Sequence, residues 1–112
     1  MKDMKLRLSM RVKDHVICVG KDVTHVLGNP DYVCLLSNEA EESIALQVCD
    51  RKHVMSYKVP EGPRAFRICS LSYTEELAAK YNLKRDVRYH LEGEYREENK
   101  AVVFPLKKWT QL

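Results

Sequence analysis

The run His15-Val16-Ile17-Cys18-Val19 returns 51 positions later as Phe66-Arg67-Ile68-Cys69-Ser70, with Ile-Cys at its centre both times. Each copy reads as a short strand, and each is followed by a helical pattern. Upstream of the first copy, Met4, Leu6, Leu8, Met10 and Val12 alternate with Lys5, Arg7, Ser9, Arg11 and Lys13. A period of two puts five apolar side chains on one face of a strand and the cations on the other. Downstream, Gly20 ends the His15–Val19 strand. A short helix is expected from about Asp22, with Val23, Val26 and Leu27 on one face, and Gly28-Asn29-Pro30 stops it. Strands are expected at Tyr32–Leu36 and Ser43–Val48, joined by a polar turn over 37–42.

The same order follows in the second half. Val54–Val59 reads as a strand, Pro60-Glu61-Gly62-Pro63 forces a turn, and Arg64–Cys69 resumes the strand. Ser72-Tyr73-Thr74-Glu75 has capping-box spacing at the start of a helix that ends near Asn82. A single strand is expected over Val87–Tyr95, a turn over Arg96–Asn99, and a last strand over Lys100–Leu106. The layout is strand, strand, helix, strand, strand, given twice, in halves 1–52 and 53–112. The fold class expected is α+β and mostly β: two ββαββ units in one domain, forming a pseudo-symmetric small barrel or sheet with two short helices. One such unit is too small to bury its own sheet, and its strand edges would stay unpaired.

The 112 residues carry 19 Lys+Arg against 16 Asp+Glu, a formal net charge of +3. That total hides a segregation, since residues 1–50 sum to −2 and residues 51–112 to +5. No apolar run approaches the ~20 residues that span a bilayer, and the first residues do not resemble a signal peptide. A cytoplasmic location is therefore expected, with no membrane partner. Cys18, Cys34, Cys49 and Cys69 sit in strand-like contexts without metal-ligand spacing, and are expected to be small, buried and reduced.

In element order and hydrophobic pattern, the stretches His15–Cys49 and Arg64–Phe104 resemble the swapped-hairpin barrels of the AbrB/SpoVT/MazE class. In that class a unit of this order dimerises to close the barrel, so the resemblance implies a pseudo-dimer within one chain. Both helix starts, Val19-Gly20-Lys21-Asp22 and Cys69-Ser70-Leu71-Ser72, lack the Pro usual there. The resemblance implies that basic residues of the first strand, and of the loop before the helix, contact DNA. They are Lys5, Arg7 and Arg11 in one unit and Lys58, Arg64 and Arg67 in the other.

Lys13 joins this group through the period-two stripe alone. A cationic strand face can track a phosphate backbone, and it also keeps an edge strand from aggregating. Lys80 and Lys84 suit a helix C-terminus, and Arg88 and His90, which share a strand face with Glu92 and Glu94, are expected to be in cross-strand ion pairs. Two acidic clusters, Glu39/Glu41/Glu42 and Glu92/Glu94/Glu97/Glu98, are expected at solvated hairpin tips. Trp109 is expected to fasten the C-terminal tail.

His15, His25, His53 and His90 lack metal-binding spacing, and no nucleophile, base and orienting group can be nominated together. No enzyme and no cofactor are expected. The leading expectation is a small DNA-binding regulator, monomeric or homodimeric. The alternative is a phage or mobile-element accessory protein whose glutamates meet a host protein or nucleoprotein complex.

Overall fold

The computed structural model describes residues 6–50, 56–60 and 65–111. Lys5 and Arg64, and with them Met4, Val54 and Met55, lie outside the described residues. The fold is α+β and mostly strand, and the described residues form two helices and two five-stranded antiparallel sheets. The first half gives β1 (Arg7–Arg11), β2 (Val16–Val19), α1 (Lys21–Val26), β3 (Tyr32–Asn38) and β4 (Ser43–Val48). The second gives β5 (Ser56–Lys58), β6 (Phe66–Cys69), α2 (Leu71–Tyr81), β7 (Arg88–Glu92), β8 (Glu94–Arg96), β9 (Ala101–Pro105) and β10 (Thr110–Gln111).

Sheet one has the order β10-β7-β1-β2-β6 and sheet two the order β5-β3-β4-β9-β8. Each strand of the first half thus lies beside one from the second: β1 beside β7, β2 beside β6, β3 beside β5 and β4 beside β9. In the β2–β6 pair Ile17 stands opposite Ile68. Period-two alternation turns Leu8, Met10, Ile17, Val19, Ile68 and Leu91 inward from sheet one. They join Val33, Leu35, Ile44, Leu46, Val102 and Phe104 of sheet two in one core.

Local sequence explains the ends of the helices. Gly20 is the extended N-cap of α1, and its N–H donates to the Arg7 carbonyl at 3.0 Å. At the other end Gly28 takes φ +83°, a left-handed conformation that costs Gly nothing. In α2 the cap is Ser70 rather than Ser72: its hydroxyl accepts from Tyr73 N at 3.2 Å, while Ser72 lies inside the first turn.

Four strand expectations need correction. The first strand stops at Arg11, because Val12–Asp14 form a 3-10 turn closed by left-handed His15. Lys13 therefore belongs to a turn and not to a cationic strand face. β3 runs on to Asn38, which shortens the expected turn.

The strand expected over Val87–Tyr95 is two strands in two sheets, divided at Gly93. A Cβ at Gly93 would stand 2.7 Å from both Phe104 Cε1 and Val102 Cγ1. The Gly93 N–H donates to the Leu6 carbonyl at 2.7 Å. Glu92 and Glu94 consequently lie on strands of different sheets. Of that acidic cluster only Glu97 and Glu98 are in the hairpin turn. Finally, β10 adds a short strand beside β7, and Trp109 just before it packs near Tyr81 and Tyr89 at ring-centroid distances of 6.5 and 6.3 Å.

Candidate nucleic-acid interface

The outer face of sheet one is built from the residues that alternate with the core positions. Register aligns Arg88, Arg11, Val16 and Cys69 in one row across β7, β1, β2 and β6. The next row holds Thr110, His90, Ser9, Cys18 and Arg67. Arg7 and Glu92 stand opposite each other one step further on. With strands ~4.8 Å apart and same-face residues ~6.8 Å apart along a strand, four arginines occupy a patch about 15 Å across.

Two shallow depressions indent this face. One, of about 280 Å³, is lined by Arg11, Arg67 and Arg88, with Ser9, Cys18 and Asp14. Its neighbour, of about 200 Å³, lies beside Arg7, Gly20 and His90 and shares Ser9 and Cys18 with the first. Ser9 and Cys18 line both depressions together with the long cationic side chains.

The four arginines differ in their partners. Arg11 is held by Asp14, with Nε donating at 2.7 Å and Nη2 at 2.6 Å to the same carboxylate oxygen. Arg7 lies 3.7 Å from Glu92, a looser pair. Arg67 and Arg88 have no ion pair among the described residues. Arg88 nevertheless stands directly opposite Arg11, and like charges in that position repel.

Of the residues singled out from the sequence, Arg7, Arg11 and Arg67 are thus brought onto one face. Lys58 is on β5 in the other sheet and is not part of it. Arg88 and His90 belong to the face although cross-strand ion pairing was expected of them; across the strand they meet Arg11 and Ser9. The alternation of Arg88 and His90 with buried Tyr89 and Leu91 was the signal that could have placed them there.

The acidic residues are dispersed. Glu39, Glu41 and Glu42 lie in the β3–β4 turn, where Glu41 is 3.5 Å from Arg96 and Glu42 is 3.8 Å from Lys107. The Tyr81 hydroxyl also donates to Glu42, and burial together with that carboxylate raises the Tyr81 pKa. Glu97 and Glu98 sit in the turn before β9.

A third cluster fastens α2. Glu75 accepts from Arg85 Nη1 at 2.8 Å and lies 2.7 Å from His15 Nε2. Arg85, then His15, hold its carboxyl down at about 2. The cluster joins the helix to the turn after β1 and to the loop before β7. The cysteines are free thiols, but only Cys34 is buried, and Cys69 is exposed, contrary to the expectation for all four. Burial, then a hydrogen bond with Cys34, pushes the Cys49 thiol up to about 12.

Among the described residues no group of three or more His, Cys, Asp or Glu could hold a metal ion. No helix there is long and apolar enough to cross a membrane. Comparison with protein-family models, with curated proteins and with solved structures finds no match to the chain.

Proposed function

We propose that the protein is a small, non-enzymatic, cytoplasmic DNA-binding regulator of AbrB-like type that grips phosphates with the outer face of sheet one. The observation that carries the reading is the cross-strand pair of Arg11 and Arg88, with Arg67 two strands from Arg11 on the same face. Like charges held side by side are unfavourable in the free protein and become favourable when an anion lies between them. The doubled unit is supported by the way every strand of the first half takes a partner from the second. In this reading the two halves form a pseudo-symmetric barrel, and the chain acts as a monomer or as a homodimer.

The alternative surface, the acidic hairpins of an accessory protein directed at a host protein or nucleoprotein, has less in its favour. Glu41, Glu42 and Glu92 face cations of their own chain, so they offer less charge to a partner.

Fluorescence anisotropy with a labelled duplex across a salt series tests the proposal. Each phosphate contact contributes about −0.9 to the slope of log K against log salt, so this face should give roughly −2 to −4. R67E and R88E should each weaken binding and flatten that slope by about one unit. Absence of binding to any duplex at low salt, or indifference to both variants, overturns it.

A further inference from the structure

We infer that the depression between Arg11, Arg67 and Arg88 is a seat for one phosphate monoester group. The inference deepens the phosphate-binding reading by naming the chemistry of this one subsite. Three arginines, from β1, β6 and β7, line it, and among the described residues Asp14 is the one carboxylate that does, which leaves a formal charge of +2. A monoester carries about −1.5 to −2 at neutral pH, whereas a backbone diester carries a single charge. The monoester therefore matches the lining and the diester half-matches it.

Geometry points the same way. Arg67 and Arg88 have no ion pair among the described residues, so their planar forks are available for bidentate hydrogen bonds to phosphate oxygens. Ser9, also in the lining, adds a hydroxyl donor. The volume, about 280 Å³, is just under the roughly 300–1,000 Å³ of pockets that enclose whole ligands. That is more than a phosphate group alone fills, so the depression has room for the phosphate and for the near part of the attached nucleoside or strand. Two sources can supply such a group, the 5′-phosphate end of a nucleic acid and a free nucleotide.

Calorimetric titration of the full chain decides the matter. The probes are inorganic phosphate, adenosine 5′-monophosphate, a dinucleotide with one internal diester and no terminal phosphate, and one blunt duplex with and without 5′-phosphates. The monophosphate should bind about tenfold tighter than the dinucleotide, and R67Q or R88Q should each remove most of that advantage. K58Q, on the other sheet, should change nothing. Both arginines are exposed, and thermal melts confirm that each variant still folds.

A tighter 5′-phosphorylated duplex, or a tighter free nucleotide, supports the inference and identifies its source. Equal binding of monoester and diester overturns it, even where the duplex binds and the DNA-binding reading stands. Binding of the monophosphate with no binding of the unphosphorylated duplex supports the inference and sinks the regulator.

Discussion

A methyl group at position 93 would come within 2.7 Å of Phe104 and Val102, two side chains that are fully buried. Gly93 is where the chain leaves sheet one and enters sheet two, so the close approach falls at the seam of the core. G93A should destabilise the protein by about 1–3 kcal/mol, the usual cost of forcing atoms into a packed interior. Urea denaturation measures this, and an unchanged midpoint would mean that the seam can relax. The seam was hidden in the sequence. Val87, Tyr89, Leu91 and Tyr95 keep one parity through Gly93, and alternation alone reads as one strand. What divides it is packing against Phe104, which no local pattern records. The stop at Gly28-Asn29-Pro30 was legible because that signal is local.

At the scale of elements, α2 shows how a correct pattern can be assigned to the wrong residue. Ser72 and Glu75 have capping-box spacing, but Ser70 caps the helix, and Glu75 is taken by His15, 60 positions away, and by Arg85. Its carboxyl is held at about 2 against an ordinary 4.5. A folded-state value below the unfolded one stabilises the protein fully above about pH 4.5, and that stabilisation is lost as pH falls toward 2. Thermal melts should therefore show E75Q less stable than the parent at pH 7, and the gap closing as pH drops through 4.5 toward 2. The group is exposed, so the gap is small and shrinks in high salt. A gap that persists unchanged at pH 2.5 would assign the loss to packing and not to charge.

On the scale of the whole molecule, the strand-strand-helix-strand-strand order of the first half was readable, whereas the second half carries four strands after its helix where two were expected, and the pairing of strands was not readable. Arg7 and Arg11 were visible through their alternation and Arg67 through the resemblance that placed it beside them. Arg88 joins them because β7 lies beside β1, a neighbour relation set by long-range pairing. The same pairing predicts that fragments 1–52 and 53–112 are each unfolded alone by circular dichroism. Each would expose apolar faces and strand edges that the other covers. Mixing them should restore native-like signal, and independent folding of either fragment would contradict the interlocked arrangement.

That arrangement also sets a timetable. On the ribosome β1 waits for β7, whose first residue is synthesised 77 positions after the last of β1. At roughly 5–20 residues per second the wait is about 4–15 s. Within that interval β3 gains β5 on its far side, but β4 stays open until β9 emerges. The nascent chain thus carries the open edges of β1 and β4 until the last quarter of the sequence is made, which is when uncovered strands are most exposed to pairing with another copy.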